Sequence, residues 1–253
     1  MTGLFNLKDK KALVTGSSRG IGRSLALGLA EYGADVIVHC ARSINKARKV
    51  SQKIEEYNVK SGVVAANLNN DKAPETIYDY VKKEFGSIDI LIHNASVQYR
   101  KEWQQITDEE FDTQIDVNLK SSLKLIQLFT PDMMENNWGR IVTVGSVQQD
   151  RPHPDMVVYA ASKMAQVNMV KNLAQQLAQH GITVNNIAPG VIDTDRNTEA
   201  LSDDNYKEKL LSNIPLDYIG KPEDCVGTTI LLCSDAGRYI TGENITIDGG
   251  IRL

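Results

Sequence analysis

The chain has 253 residues, 42% of them hydrophobic and 24% charged, which is the composition of a globular protein with enough apolar side chains for a large core. Its formal net charge is −4, from 32 acidic and 28 basic side chains, and it has no long basic run, so we do not expect a nucleic-acid partner. Length alone allows one or two domains.

Short β-rich segments alternate with longer amphipathic segments along the chain, which predicts an α/β protein whose parallel sheet carries helices on both faces. The predicted strands are Lys11–Val14, Asp35–His39, Gly62–Ala66, Ile88–His93, Gly139–Val144, Thr183–Ile187 and Asn244–Ile247. The predicted helices are Ile21–Tyr32, Ile44–Tyr57, Ala73–Phe85, Asp108–Glu135, Tyr159–His180 and Glu223–Leu232. Seven strands and six helices without a linker predict one doubly wound domain over residues 1–253. Only Pro189–Pro215 falls outside the alternation, and we expect a loop with short helices over the site there.

A glycine-rich turn at Thr15–Gly22 connects the first predicted strand to the first predicted helix. Glycines let a backbone approach a pyrophosphate closely, and the helix N-terminus that follows offers unpaired N–H groups. The spacing is G-x-x-x-G-x-G and not the commoner G-x-G-x-x-G, so the general fingerprint does not fit as written. The position of the turn nevertheless predicts dinucleotide binding, with a simple tight connection as the alternative.

The end of the second predicted strand bears on which dinucleotide binds. NAD sites usually place an acidic residue there for the ribose 2′-hydroxyl, whereas NADP sites use arginine for the 2′-phosphate. Here Arg42 follows the strand, no acid is present, and Arg19 lies in the glycine-rich turn. Two guanidinium groups could bind a phosphate by charge-assisted hydrogen bonds, so NADP(H) is favoured over NAD(H). The alternative is that Arg42 is a solvated loop cation.

Polar residues also follow other predicted strands, at the sheet edge where α/β proteins bind ligands. Asn67 and Leu68 follow the third strand, Asn94 and Ala95 the fourth, and Ser146 the fifth. Asn94 could bind a cofactor or cap the structure, and the sequence leaves both interpretations open.

Three residues on predicted helices are candidates for proton transfer. Asn118 lies inside a predicted helix, where asparagine is unfavourable because its amide competes for the backbone, so it indicates either a bulge facing the site or an exposed side chain. Tyr159 and Lys163 are four residues apart and share one helix face. A lysine ammonium beside a phenol stabilises the phenolate, which would make Tyr159 a general acid or base. Alone, the pattern Tyr-x-x-x-Lys also fits a solvated helix face.

These motifs occur in one order along essentially the whole chain, and together they resemble the short-chain dehydrogenase/reductase family. The order is Thr15–Gly22, Asn94-Ala95, Asn118, Ser146, Tyr159 with Lys163, Pro189-Gly190 and Ile247–Gly250. The resemblance implies a single-domain Rossmann-type fold and an NADP(H)-dependent enzyme that interconverts a carbonyl and a secondary alcohol by hydride transfer.

The resemblance also implies roles for individual residues. Tyr159 would exchange the proton, Ser146 would hydrogen-bond the carbonyl oxygen, Lys163 would bind the nicotinamide ribose and assist Tyr159, and Asn118 would hold a relaying water. The implied cofactor-binding residues are Gly16, Ser18, Arg19, Gly20, Ile21, Gly22, Arg42, Asn67, Leu68, Asn94, Ala95, Tyr159, Lys163, Pro189, Gly190, Ile192 and Thr194.

The sequence departs from the family pattern at three positions. The family's Asn-Asn-Ala-Gly reads His93-Asn94-Ala95-Ser96 here, and Asn67 stands where an aspartate commonly contacts adenine. Because Asn94 is retained, we expect cofactor binding to survive. Ser96 adds a side chain near the ribose.

The substrate is less well defined. Ala200–Asp204 and Tyr239–Glu243 resemble the branch of 3-oxoacyl reductases and sugar or polyol dehydrogenases. Polar residues in Gln98–Arg100 and Val147–Met156 would line the site mouth, which favours a small sugar, sugar acid or polyol, although they could simply solvate a loop. A 3-oxoacyl thioester is the alternative, but an acidic acyl-carrier partner favours basic residues that Met134–Trp138 lacks. A non-catalytic NADP-binding regulator is a third interpretation.

Partners and compartment follow from weaker signals. Met1–Lys10 has no signal-segment pattern and no run of about 18 apolar residues could cross a bilayer, so no membrane partner is expected. Cys40, Cys225 and Cys233 lack metal-ligand spacing, which argues against a metal site and fits a cytoplasmic protein. The family resemblance implies a homotetramer or homodimer.

Overall fold

A computed structural model describes residues 2–198 and 202–253. The strands are β1 Lys11–Val14, β2 Asp35–Cys40, β3 Ser61–Ala65, β4 Ile90–His93, β5 Gly139–Val144, β6 Ile182–Pro189 and β7 Asn244–Ile247. The α-helices within the described residues are α1 Gly20–Glu31, α2 Ile44–Glu55, α3 Ala73–Phe85, α4 Asp108–Ile115, α5 Ser121–Glu135, α6 Val157–Leu177, α7 Asp204–Leu211 and α8 Val226–Cys233.

The strands form one parallel sheet in the order β3-β2-β1-β4-β5-β6-β7. The chain therefore winds outward in one direction from β1 to β3 and then returns to the middle of the sheet at β4. This order confirms the predicted doubly wound, Rossmann-type α/β fold.

Helices cover both faces of the sheet. Successive strand residues point to opposite faces, so the buried strand residues belong alternately to two apolar clusters, one on each face. Ala12 and Val14 of β1 pack on one side with α1, α2 and α8. Leu13 points to the other side, where α3, α5 and α6 cover the sheet. Burial on both faces explains why β1 and β4 are apolar at all but one position and do not alternate with polar residues.

The predicted helix Asp108–Glu135 is interrupted in the structure. A capping box between Thr107 and Glu110 starts α4, and a π-helical turn at Asp116–Lys120 separates α4 from α5. The extra residue of a π turn commonly occurs at functional sites. Of the two interpretations of Asn118, the bulge is confirmed and the exposed side chain is wrong.

Several predicted boundaries are also wrong by a few residues. β4 begins at Ile90 and not at Ile88, because the Asp89 carboxylate accepts a hydrogen bond from the Lys11 backbone N–H at 2.9 Å. β6 continues beyond Ile187 because Pro189 still pairs with Ile247 of β7. The last two predicted helices end or begin in 3-10 turns, at Ala178–His180 and Pro222–Cys225.

The segment after β6 crosses the carboxyl edge of the sheet and contains α7. Ala200 and Leu201, which contributed to the resemblance above, lie outside the described residues. Within residues 2–198 and 202–253, no helix combines the length and apolar character needed to cross a bilayer.

Candidate active site

A cavity of about 930 Å³ opens at the carboxyl edge of the sheet, where β1 and β4 are neighbours although they are not consecutive. This is the switch point at which open α/β sheets bind ligands. Most of the residues implied by the family resemblance lie on its wall. These are Gly16, Ser18, Arg19, Gly20, Ile21, Gly22, Arg42, Asn67, Leu68, Asn94, Ala95, Ser146, Tyr159, Pro189, Gly190, Ile192 and Thr194.

The glycine-rich turn is shaped by its contact with the end of β4. Asn94 donates from Nδ2 to the carbonyl oxygens of Thr15 at 2.9 Å and Gly16 at 3.2 Å. A Cβ atom on Gly22 would collide with the same amide nitrogen, and a Cβ on Gly16, which has φ of 65°, would lie 2.9 Å from the Cα atom of Ala95. Asn94 therefore has the structural role, tying the turn to the sheet while lining the cavity.

His39, on β2, holds the glycine-rich turn in place, a role that sequence analysis did not identify. Its Nδ1 accepts a hydrogen bond from the Gly16 N–H at 3.0 Å, and its Nε2 donates to the Ala66 carbonyl at 2.9 Å. Burial, opposed in part by the bond to Ala66, lowers the pKa of His39 to about 4. A neutral ring with one donor and one acceptor is the form that these two contacts need. The only sequence signal was a polar residue in an apolar strand.

Basic side chains gather at the end of the cavity beside β2. Arg19 and Arg42 lie on its wall, and Lys46 lies close to Arg19 in the first turn of α2, which begins at Ile44. Asp195 lies between them, with its Oδ2 3.7 Å from Arg19 Nη1 and 3.7 Å from Lys46 Nζ. These exposed pairs are weak and can exchange for a phosphate. Lys46 was missed because a helix lysine is usually only solvated.

Ser146 and Tyr159, from the turn after β5 and from α6, also lie on the cavity wall. Ser146 caps the short turn after β5, and its hydroxyl oxygen accepts a hydrogen bond from the Gln148 N–H at 3.2 Å. This leaves the hydroxyl proton available for an oxygen in the cavity. Tyr159 lines the cavity although the residue as a whole is only 5% exposed.

Lys163 lies behind this wall, with its Nζ 5.7 Å from the centre of the Tyr159 ring. It is 1% exposed and donates to the Val144 carbonyl at 2.8 Å and to Gln166 Oε1 at 3.0 Å. Burial, followed by the charge of Arg196, lowers the pKa of Lys163 to about 7. Both protonation states of the amine are therefore accessible near neutral pH.

Asn118 is also buried behind the wall and not on it, so the bulge is present as predicted but Asn118 does not line the cavity. Its Oδ1 accepts from the Val97 N–H at 2.8 Å, and its Nδ2 donates to the Val97 carbonyl at 2.9 Å and to Ser162 Oγ at 3.1 Å. The amide thus fastens the chain after β4 to the π turn and to α6. Its role in holding a relaying water stays a prediction.

Two arginines face the mouth of the cavity, and sequence analysis identified only Arg100. Arg100 donates from Nη2 to His153 Nε2 at 2.9 Å, and its Nε lies 3.6 Å from Asp155 Oδ2. Arg196 donates to the Ser96 carbonyl at 2.9 Å and to the Ser96 hydroxyl at 3.1 Å. Ser96, the departure from the family's glycine, therefore holds a cation at the mouth.

Known proteins match the chain over nearly its full length. A family model described as "Enoyl-(Acyl carrier protein) reductase" matches residues 16–252. The 3-oxoacyl-[acyl-carrier-protein] reductase of Staphylococcus epidermidis is 41% identical over 246 residues, which are 97% of this chain and all of that protein. The chain belongs to the short-chain dehydrogenase/reductase family. It is therefore an oxidoreductase that acts on alcohol and carbonyl groups.

Solved structures of this family superpose closely on the chain. The NADP-bound 3-oxoacyl (acyl-carrier-protein) reductase from Agrobacterium tumefaciens has a TM-score of 0.94 and 34% identity, covering 99% of this chain and 97% of that one. A gluconate 5-dehydrogenase from Burkholderia cenocepacia, in complex with NADP and tartrate, has a TM-score of 0.93 and 28% identity, covering 99% and 98%.

The described residues of this short-chain dehydrogenase/reductase fit a nicotinamide dinucleotide. Three glycines of the turn between β1 and α1, Gly16, Gly20 and Gly22, line the cavity and present backbone to it without side chains. α1 begins at Gly20 without a side-chain cap, so the N–H groups of its first turn are open to a pyrophosphate. Among the described residues, no group of three histidine, cysteine or acidic side chains is placed to hold a metal ion.

Proposed function

We propose that this enzyme uses NADP(H) to interconvert a carbonyl and a secondary alcohol on a small sugar, sugar acid or polyol, with a sugar acid favoured. The observation that carries the choice of substrate is the pair Arg100 and Arg196, which both line the cavity. A guanidinium group matches a carboxylate in geometry and charge.

The chemistry is divided between the cofactor and four side chains. A bound nicotinamide supplies or accepts the hydride. Tyr159 gives its phenolic proton to the carbonyl oxygen during reduction and takes it back during oxidation. Ser146 donates a hydrogen bond to the same oxygen, where negative charge develops, and its position is fixed before reaction by the capping contact with Gln148. Lys163 holds positive charge beside the phenolate, and Asn118 fixes the backbone next to it.

One observation indicates which segment of the chain binds the substrate, and another indicates the chemical class of the substrate. Residues 189–215 form the substrate segment in this proposal, since Arg196 and Tyr206 both line the cavity. The Burkholderia cenocepacia relative was solved with tartrate, a hydroxylated dicarboxylate, besides NADP.

The alternative substrate is a 3-oxoacyl thioester, which is favoured by the 41% identity to a 3-oxoacyl reductase. A panel of keto sugar acids, neutral ketoses and acetoacetyl thioesters, followed by loss of NADPH absorbance, separates the two proposals. Turnover of the keto acids above that of the thioesters is expected. Preference for the thioesters would replace the first proposal by the second.

Replacing Arg196 with glutamine tests the carboxylate contact. We expect kcat/KM for a keto sugar acid to fall about 10-fold to 100-fold, because a hydrogen bond to a charged group is worth about 1.5–3 kcal/mol. A neutral ketose measured with the same variant is the control and should change several-fold less. An equal loss on both substrates would mean that Arg196 acts through the charge of Lys163 and does not contact the substrate carboxylate.

Replacing Arg42 with alanine tests the cofactor preference. We expect kcat/KM for NADPH to fall about 10-fold or more while that for NADH stays nearly constant, because only NADPH presents the 2′-phosphate. Arg48→Ala, an exposed arginine on α2, is the matched control and should leave both values unchanged. A wild-type preference for NADH would contradict this part of the proposal.

The proposal includes a homotetramer or homodimer in the cytoplasm. Tyr239 and Leu253 are 99% and 95% exposed, and a shallow apolar groove between α5 and α6 is lined by Leu123 and Met169, among others. Such surfaces support subunit contacts. Sedimentation velocity gives the mass directly, and a monomer at micromolar concentration would contradict the assembly.

A further inference from the structure

A continuous chain of buried side chains runs from the active-site lysine to the π turn. Lys163 Nζ donates to Gln166 Oε1 at 3.0 Å, and Gln166 Nε2 lies 3.3 Å from His93 Nδ1. His93 Nε2 lies 3.0 Å from Ser121 Oγ, which in turn donates to the Val117 carbonyl at 2.8 Å. The four side chains are each no more than 2% exposed, so water cannot replace these contacts.

The direction of each bond in this chain follows from the first one. While Lys163 is protonated its ammonium can only donate, so the amide oxygen of Gln166 must face Lys163 and its NH₂ must face His93. His93 Nδ1 is then an acceptor, and its proton lies on Nε2 and points to Ser121. Ser121 uses its own proton for the Val117 carbonyl, so it accepts from the ring. A single arrangement satisfies the whole network.

His93 controls the amide of Gln166 through this arrangement. If the imidazole were absent, the NH₂ of Gln166 would have no acceptor at this position, and an amide flip would place NH₂ against the ammonium. An unpaired buried polar group costs more than a made bond contributes. His93 therefore keeps the oxygen of Gln166 directed at Lys163.

The charged and titratable groups that face Lys163 come from four elements. Tyr159 lies on the same helix, Arg196 comes from the segment after β6, His93 from β4, and His39 beyond it from β2. Burial, followed by the charges of Lys163 and His39, lowers the pKa of His93 to about 3, so its ring is neutral at working pH. Among these neighbours, none contributes a negative charge to the resting ammonium.

The ammonium is consequently held by two neutral oxygens. One belongs to the backbone of Val144 and cannot be removed by substitution, whereas the other belongs to Gln166. Hydrogen bonds to a charged group stabilise the charged form. Gln166 is thus the side chain on which the charge of Lys163 depends.

We propose that His93 and Gln166 are positioning residues that hold Lys163 in its active orientation and set the pH range of proton transfer. The catalytic part of this proposal rests on the proposed function, in which Lys163 assists proton transfer by Tyr159. The network itself can be tested without a substrate.

The first test is the titration of Lys163 in protein labelled with ¹³C-lysine, with the resonance identified by its loss in Lys163→Arg. In Gln166→Met the ammonium loses an acceptor, so we expect the titration midpoint of Lys163 to fall by about one pH unit. His93→Phe should move it in the same direction, by a smaller amount. The double variant should match Gln166→Met, since His93 acts through Gln166.

The second test is the tautomer of His93 in ¹⁵N-histidine-labelled protein, where the proton is expected on Nε2. A proton on Nδ1 would overturn the network. An unmoved Lys163 midpoint in both folded single variants would overturn the proposal, and if His93→Phe does not fold, Gln166→Met decides alone.

Turnover provides the last comparison. With less positive charge beside Tyr159, the pH of half-maximal alcohol oxidation should rise by about half a unit to one unit in Gln166→Met, a shift that a purely structural role would not cause. If wild type turns over no member of the substrate panel, the proposed function fails, whereas the lysine titration and the tautomer still decide the network.

Discussion

Replacing Tyr159 with phenylalanine is expected to lower turnover about 100-fold or more in both directions of the reaction. The phenylalanine ring fills the same space on α6, and the proposed cofactor contacts at the glycine-rich turn belong to a different element, between β1 and α1. The loss should therefore appear in kcat, while the affinity for NADPH, measured by fluorescence titration, stays within a few-fold of wild type.

Tyr206→Phe is the matched control, because Tyr206 also presents a phenol to the cavity but lies on α7. Because Tyr206 belongs to the proposed substrate segment, its substitution can alter KM, but its kcat should fall far less than that of Tyr159→Phe. If Tyr159→Phe kept more than about a tenth of wild-type turnover, the proton would have to come from another group and the mechanism would be wrong.

Acid is expected to destabilise the protein well before its carboxylates titrate. The pKa values of His39 and His93 are lowered from 6.5 to about 4 and about 3. Below pH 6.5 these two rings therefore bind protons in the unfolded chain but stay neutral in the folded protein. The free energy of unfolding then falls by about 1.4 kcal/mol per pH unit for each ring. Between pH 7 and pH 5 the two rings together remove about 4 kcal/mol.

Urea unfolding at closely spaced pH values measures this slope. His93→Asn should remove about half of the pH dependence, whatever its effect on stability at pH 7. Gln105→Ala, an exposed substitution without a titratable group, should keep the full dependence. Lys163, with its pKa lowered to about 7, is protonated in both states in the lower part of this range and adds little slope there. A flat profile in wild type would mean that both rings take up protons in the folded protein as readily as in the unfolded chain.

The features that sequence predicts best are those that depend on local pattern. The alternation of β-rich and amphipathic segments gave the strands within a few residues, and the positions after β1, β4 and β5 predicted which side chains meet at the sheet edge. Asn118 was identifiable because asparagine is unfavourable inside a helix, and the π turn explains its presence.

The features that sequence did not predict depend on contacts between distant segments. His39 and Lys46 belong to elements that were located correctly, but their partners Gly16 and Asp195 are brought near only by folding. Gln166 has the spacing of an ordinary buried helix position. Its role becomes visible only when β4 places His93 beside it.

The π turn also limits how this chain can change in length. α4 packs against α6, whereas α5 packs against α3. The additional residue in the π turn at Asp116–Lys120 sets the rotation of α5 about the helix axis relative to α4, so that each helix directs its apolar side chains to its own partner. Losing that residue would restore a regular α-helix and rotate α5 by about 100° relative to α4. Insertions and deletions are therefore excluded from the middle of this long helical segment, although substitutions on its exposed side are not.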